Sequence, residues 1–301
     1  MADDRAGGAV NGANGANGAN GVGVVGCGLM GSGIAEICAR KGLDVVVAVS
    51  SARSEERGRR RVERSLERAV AKGGITPAER DEALGRISYT TDLGGLTCGQ
   101  LVIEAITEDE SAKLDLFSRL DKAVENPDAV FTTNTSSLPV MKLARVMSRP
   151  EQVVGTHFFS PVPAMPLVEV TRSLLTSAES AERVETFLTE TLGKDVVRSP
   201  DRAGFVVNAL LVPYLLSAMR MAESGFASPE DIDRGMTQGC GHPVGPLRLS
   251  DLIGLDTLEA VAGGLYAEFK EPLFAAPPLL SRMVEGGLLG KKSGRGFHRY
   301  D

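Results

Sequence analysis

Short apolar runs rich in β-branched residues alternate with segments of helical spacing from residue 22 to about residue 200. Parallel strands are buried on both faces, so they read as nearly continuous apolar runs that helices must connect. The alternation therefore predicts an α/β fold with a doubly wound, mostly parallel sheet. The predicted strands are residues 22–26, 45–49, 101–106, 130–133, 153–157 and 167–170, and the predicted helices are 31–41, 54–72 and 111–124.

The strand signals stop at about residue 201. Residues 205–224, 228–238, 255–269 and 278–285 all have helical spacing. Ser228 followed by Pro229 is a typical helix start, with the serine as N-cap and the proline in the first position. We therefore expect a sheet domain over residues 21–200 and a separate helical C-terminal domain over residues 201–301. Residues 1–20 contain the run NGANGANGANG, which has too little apolar surface to fold, so we expect a disordered tail.

Composition excludes several classes of protein. The net charge of −6 gives no reason to expect nucleic-acid binding. The four cysteines form no CxxC pair and the chain has three histidines, so no metal site is expected. The sequence shows no signal peptide and no uninterrupted membrane span. These features predict a cytoplasmic protein with reduced cysteines and no membrane partner.

A glycine motif, Gly26-Cys27-Gly28-Leu29-Met30-Gly31, directly follows the first predicted strand and opens a helix. In G-x-G-x-x-G the first glycine permits a tight turn and the second lets the backbone approach a pyrophosphate. The third lets helix and strand pack closely, and the helix N-terminus faces the phosphates. The motif is weak alone, but in this strand–turn–helix context it predicts dinucleotide binding by a Rossmann-type domain.

The end of the second strand departs from the pattern for NAD, in which an acidic residue holds the ribose hydroxyls. This chain has Ser50, Ser51 and Arg53 there instead. Two hydroxyls and a guanidinium suit a phosphate, which favours NADP(H) over NAD(H). The alternative is that Ser51 or Ser54 only caps the next helix and Arg53 is solvated.

The segment from Gly155 to Val170 contains the clearest candidate for chemistry. His157 lies at a strand end, and Glu169 lies in an apolar run, where a carboxylate needs a partner. If the chain reverses direction after His157 and runs back along the next strand, a pair of His157 and Glu169 is geometrically easy. The polar turn that begins at Asn134 and includes Ser136 follows another strand of the same sheet.

At this point the chain resembles the L-3-hydroxyacyl-CoA dehydrogenase family, in particular its short bacterial 3-hydroxybutyryl-CoA form. The resemblance covers roughly residues 22–301. It rests on the ordered segments GCGLMGSGIA, LVIEAITE, NTSSL, GTHFFSPVPAMPLVEV, AGFVVNALLVPYL, GHPVGPLRLSDLIGLD and KKSGRGF. The family interconverts 3-hydroxyacyl and 3-ketoacyl thioesters of CoA by hydride transfer with a nicotinamide cofactor.

The resemblance implies roles for individual residues. His157 would be the acid–base group, Glu169 would orient it, and Ser136 and Asn208 would hydrogen-bond the C3 oxygen of the substrate. Glu108 and Lys113 match family positions near the cofactor. The full set of predicted cofactor contacts adds Asn134, the motif residues Gly26, Gly28, Leu29, Met30 and Gly31, and the departing residues Ser50, Ser51 and Arg53. Ser65 and Lys72 would contact the CoA portion, which the basic residues of the same helix also favour. The family also implies a homodimer formed mainly through the helical domain.

Three departures keep alternatives open. The ribose carboxylate is missing, the family's HFFNP reads HFFSP with Ser160, and its VEN reads Thr107-Glu108-Asp109. A related enzyme could oxidise a hydroxyacyl group carried on an acyl carrier protein. A chain of this fold could also be a non-catalytic dinucleotide-binding protein of the crystallin type. The presence of all four implied site residues speaks against that alternative, namely His157, Glu169, Ser136 and Asn208.

Overall fold

The computed structural model describes residues 21–300, with residues 97–99 described by their backbone alone. The tail predicted for residues 1–20 lies outside the described residues. Eight strands form one sheet in the order β3-β2-β1-β4-β5-β6-β7-β8. They are β1 (Gly21–Val25), β2 (Asp44–Ala48), β3 (Ile87–Thr90), β4 (Gly99–Glu104), β5 (Val130–Thr133), β6 (Val153–Phe158), β7 (Leu167–Arg172) and β8 (Asp195–Pro200).

All neighbouring strands are parallel except β6 and β7, which run antiparallel. Six helices accompany the sheet: α1 (Leu29–Arg40), α2 (Ala52–Ala71), α3 (Pro77–Gly85), α4 (Glu110–Ala123), α5 (Val140–Ala144) and α6 (Ala178–Thr186). The doubly wound fold class is therefore confirmed. Strands β3 and β8 were not predicted, because their sequences ISYT and DVVRSP lack the continuous apolar run of a buried strand.

The chain after the sheet is helical. It contains α7 (Val207–Glu223), α8 (Pro229–Arg234), α9 (Pro246–Ile253), α10 (Leu255–Phe269) and α11 (Pro278–Glu285). Ser228 caps α8 by accepting a hydrogen bond from the backbone of Asp231, as the sequence predicted. A π-helical turn, Gly235–Gly239, extends α8, and α9 was not predicted. Among residues 21–300, no helix combines the length and apolar character that a membrane crossing needs.

The sheet topology determines where a site can form. Strands β1, β4, β5 and β6 are consecutive neighbours and parallel, so their carboxyl ends meet at one edge. Apolar cores pack on both faces of the sheet, and a third packs among the helices after residue 200. Ligands of open α/β sheets bind at this carboxyl edge, and it carries the glycine motif, the turn at Asn134 and His157.

Candidate functional site

A cleft of about 840 Å³ opens at the carboxyl edge of β1, β2 and β4. Five predicted cofactor contacts from the first half of the domain line it, namely Gly26, Gly28, Leu29, Met30 and Ser50. Asn134, at the end of β5, lines it as well. The cleft therefore spans the positions at which a Rossmann-type domain holds a dinucleotide.

Glycine suits the three motif positions for different structural reasons. Gly26 has a φ of +95°, a region that favours glycine, and a Cβ on Gly31 would lie 2.1 Å from the carbonyl oxygen of Gly26. A Cβ on Gly28 would meet no atom within 4 Å. Gly28 is also the N-cap of α1 and makes no side-chain cap. The loop thus leaves open space in front of uncapped backbone N–H groups, which fits a pyrophosphate.

Replacing Gly31 with alanine is expected to weaken cofactor binding by at least tenfold and to lower the melting temperature. The reason is that the new methyl group would collide with a backbone oxygen, so α1 must move away from β1. Fluorescence titration with NADH and NADPH measures the first effect, and calorimetry the second. Gly42→Ala is the control. That exposed glycine has open space around it, so the added methyl group collides with nothing and the only penalty is the backbone strain of a φ of +80°. Unchanged cofactor binding in Gly31→Ala would contradict the packing role.

The ribose end of the cleft differs from the sequence-based expectation. Ser51 is the N-cap of α2 and accepts a hydrogen bond from the backbone N–H of Ser54. Neither Ser51 nor Arg53 lines the cleft, whereas Ser54, Arg57 and Arg61 do. Ser54, Arg57 and Arg61 are spaced by three and four residues and share one helix face, and Arg53 lies one turn before Arg57, outside the lining of the cleft. On this side, the arginines that line the cleft are therefore Arg57 and Arg61, and not Arg53.

His157 and Glu169 form a buried pair. They are directly opposite each other in the antiparallel register of β6 and β7. The Nδ1 atom of His157 lies 2.7 Å from Oε2 of Glu169, and the histidine is only 8 % exposed. An ionised carboxylate can only accept, so Nδ1 carries a hydrogen and Nε2 is left as the basic atom. The rings of Phe159 and Phe205 pack against the imidazole.

The second oxygen of Glu169 connects the sheet to the first helix of the C-terminal segment. Its Oε1 atom accepts hydrogen bonds from the backbone N–H groups of Val206 and Val207, at 2.9 and 2.8 Å. Phe205, with a φ of +47°, turns the chain so that these two groups face the carboxylate. Asn208 follows directly in α7. One buried carboxylate thus positions both the histidine and the start of the helix that carries Asn208.

The turn after β5 is held by another carboxylate. Oε1 of Glu108 accepts hydrogen bonds from the hydroxyl of Thr135 at 2.5 Å and from the backbone N–H of Ser136 at 2.9 Å. Burial acts to raise the pKa of Glu108, but the charge of Lys113 and these hydrogen bonds outweigh it and lower the pKa. Asn134 accepts a hydrogen bond from the backbone of Phe158, which ties this turn to the end of β6 beside His157.

The side chain of Lys113, which the family resemblance implied to lie near the cofactor, is completely buried. Its Nζ atom lies 2.6 and 2.8 Å from the two carboxylate oxygens of Glu104 and 3.3 Å from Glu108. Thr133 donates a further hydrogen bond to Glu104 at 2.6 Å. Lys113 therefore connects Glu104, at the end of β4, with Glu108. Glu104 was missed, although its place in the apolar run LVIEA is the same signal that identified Glu169.

The basic helix α2 divides into faces with different partners. Arg59 and Arg60 pair with Glu55 and Glu56 one turn earlier. The exposed residues Arg64, Arg68 and Lys72 recur at a spacing of four, so they share one face. Ser65 is half-buried beside Glu36 of α1, a residue whose burial raises its pKa. The structure therefore places Lys72 on an exposed basic face and Ser65 against α1.

Comparison with known proteins identifies the family. Residues 21–202 match the NAD binding domain of 3-hydroxyacyl-CoA dehydrogenase, and residues 204–300 match its C-terminal domain. The chain belongs to the 3-hydroxyacyl-CoA dehydrogenase family. The match to the NAD binding domain indicates a nicotinamide cofactor, in agreement with the glycine loop and the cleft.

Individual members of the 3-hydroxyacyl-CoA dehydrogenase family resemble this chain over nearly its whole length. A 3-hydroxybutyryl-CoA dehydrogenase of Mycobacterium tuberculosis is 57% identical over 278 residues, which cover 92% of this chain and 97% of that protein. The crystal structure of M. tuberculosis FadB2 has a TM-score of 0.92 at 57% identity and covers 93% of this chain and 98% of its own. The (S)-3-hydroxybutyryl-CoA dehydrogenase PaaH1 of Ralstonia eutropha has a TM-score of 0.88 at 42% identity, covering 94% and 99%.

Proposed function

We propose that the protein interconverts 3-hydroxybutyryl-CoA and acetoacetyl-CoA, with NADP(H) preferred over NAD(H). The observation that carries the chemistry is the buried pair of His157 and Glu169 at the carboxyl edge of the sheet. The names of the two similar dehydrogenases indicate the thioester. They favour a CoA substrate over the carrier-bound and non-catalytic alternatives.

The acid–base chemistry is assigned to His157. Nδ1 is held by Glu169, so Nε2 removes the proton of the C3 hydroxyl during oxidation and returns it during reduction. The buried carboxylate stabilises the imidazolium that forms. The nicotinamide cofactor, when bound in the cleft, accepts or supplies the hydride at C3. Ser136 and Asn208 donate hydrogen bonds that orient and polarise the C3 oxygen.

The CoA portion is proposed to bind along α2. Arg64, Arg68 and Lys72 are exposed and share one helix face, which suits the 3′-phosphate and pyrophosphate of CoA. Ser65 lies next to that face, although its side chain is half-buried beside Glu36.

The cytoplasmic location expected from the sequence stays a prediction.

We propose a division of the chain at residues 200 and 201, with a homodimer formed mainly through the helical part. Leu210 and Phe226 are 72 and 80 % exposed there, and Leu252 and Tyr266 are exposed as well. Large apolar side chains of this kind are typical of protein interfaces. We therefore expect light scattering at micromolar concentration to give twice the chain mass of 31.7 kDa. A monomeric mass would contradict the dimer and leave the proposed reaction untouched.

The reaction is tested by following absorbance at 340 nm with acetoacetyl-CoA and NADH or NADPH. Turnover with CoA thioester and at least one cofactor is expected. Acetoacetyl groups on an acyl carrier protein provide the comparison for the carrier-bound alternative. If circular dichroism shows that the protein is folded and it turns over acetoacetyl-CoA with neither NADH nor NADPH, the proposed function is wrong.

A further inference from the structure

Four side chains from the end of β2 and the first half of α2 line one end of the cleft. They are Ser50, Ser54, Arg57 and Arg61. Ser54, Arg57 and Arg61 are spaced by three and four residues and form one row along α2, and Ser50, just before the N-cap of the helix, extends this row. The hydroxyls of Ser50 and Ser54 lie 3.2 Å apart, and Arg57 donates a hydrogen bond to Ser54 at 3.4 Å. The row therefore presents two hydroxyls and two guanidiniums to the same space.

Close packing brings this row to the cofactor loop. A Cβ on Gly58 would lie 2.2 Å from Sγ of Cys27, so α2 touches the glycine loop at a point where any side chain is excluded. Arg61, three residues further on, donates a hydrogen bond at 3.4 Å to the carbonyl oxygen of Cys27. Arg57 and Arg61 thus flank a contact that fixes their distance from the loop.

The charge at this end of the cleft is not balanced by carboxylates. Within residues 21–300, Arg57 forms no ion pair, although its neighbours Arg59 and Arg60 are paired. The one carboxylate that lines the described cleft is Asp115, on α4 beside Arg119. An exposed guanidinium that pairs with no carboxylate of the described residues, together with two hydroxyls, is a donor set that suits a phosphate monoester.

We infer that Ser50, Ser54 and Arg57 form a binding site for a 2′-phosphate on the adenosine ribose, with Arg61 adding positive charge toward the pyrophosphate. The inference rests on the proposed function and makes this end of the cleft the determinant of selectivity for NADPH. The end of β2 is where a Rossmann-type domain distinguishes the two cofactors. A carboxylate at this point would repel the 2′-phosphate, and here the space holds cations instead.

The direct test measures binding of two adenosine fragments, 2′,5′-ADP and 5′-AMP, by isothermal titration calorimetry. The wild type is expected to bind 2′,5′-ADP at least tenfold more tightly. Arg57→Ala should weaken 2′,5′-ADP by about 10–100-fold, the value of a charge-assisted contact to phosphate, and should weaken 5′-AMP much less. Arg57→Lys should recover part of the loss, because it restores the charge but not the planar geometry.

Arg53→Ala is the matched control. It removes the same charge from the first turns of the same helix, but Arg53 does not line the cleft, so the ratio of the two affinities should stay as in the wild type. Equal binding of the two fragments by the wild type, or an equal loss in both arginine variants, would overturn the site. Turnover with NADH and NADPH at equal efficiency would also overturn it, while leaving the dehydrogenase assignment intact.

Discussion

Replacing His157 with glutamine is expected to lower kcat by about 10²–10⁴-fold, the usual contribution of a positioned proton-transfer group. The KM for acetoacetyl-CoA should change much less, because the imidazole acts mainly in the transition state. Steady-state rates at saturating NADH and NADPH measure both quantities. Near-normal turnover in the variant would remove the central claim about the site.

Glu169→Gln should also lower kcat, for a reason that the structure makes specific. Oε1 accepts from two backbone N–H groups, so the glutamine must keep its oxygen there and turn its amide N–H toward Nδ1 of His157. That donor forces the imidazole hydrogen onto Nε2, and the basic atom is lost. The double variant should therefore be little worse than His157→Gln alone. Multiplicative losses would show that Glu169 has an independent role.

A second buried histidine–carboxylate pair gives a matched control for these variants. His298 lies 2.7 Å from Asp233 and is also buried, but neither residue lines the cofactor cleft. His298→Gln removes the same kind of contact from the helical segment, so it should lower stability while kcat per folded molecule stays close to wild type. A comparable loss of kcat in both histidine variants would attribute the effect of His157 to general damage.

The largest effect on stability is expected at Glu104. Glu104→Leu removes the nearer of the two carboxylate partners of a completely buried lysine and also leaves the hydroxyl of Thr133 without its acceptor. Breaking a buried ion pair from one side costs roughly 3–5 kcal/mol, and Lys113 keeps only the longer contact of 3.3 Å with Glu108. We expect the free energy of unfolding in urea to fall by about that amount.

Two further variants test the origin of that loss. Glu104→Leu combined with Lys113→Met removes both charges, so it should recover much of the stability lost by the single substitution. Glu110→Leu removes one partner of an exposed pair with Lys142 and should cost less than about 1 kcal/mol. If the double variant loses as much free energy of unfolding as the two single substitutions added together, side-chain packing and not the buried charge causes most of the loss.

The sequence predicted best those features that depend on one physical property of one type of residue. The glycine motif, the alternation of apolar runs with helices and the apolar setting of Glu169 each predicted features that the structure contains. The sequence also indicated that a pair of His157 and Glu169 is geometrically easy, and the antiparallel register places the two residues directly opposite each other. The mixed polar sequences of β3 and β8 carry no comparable signal, since edge-proximal strands need not be apolar on both faces.

The sequence was least informative where the outcome depended on how an element docks against the cleft. Arg53 and Arg57 are equally basic and lie one turn apart on α2, and the position along the helix at which α2 meets the glycine loop, at Gly58 against Cys27, brings Arg57 and not Arg53 to the cleft. The family resemblance implied that Lys113 lies near the cofactor, and the structure adds that its nearest partner is Glu104, on the preceding strand. Long-range packing of this kind leaves no local pattern.

The direct opposition of residues 157 and 169 across β6 and β7 has a consequence for how this gene can change in length. Side chains on a strand alternate between faces, so one residue inserted within β7 before Glu169 would turn the carboxylate to the other side of the sheet. A codon added between residues 159 and 166, outside both strands, would leave the alignment intact. Insertions and deletions among homologues should therefore collect in that connecting segment and be absent from the two strands.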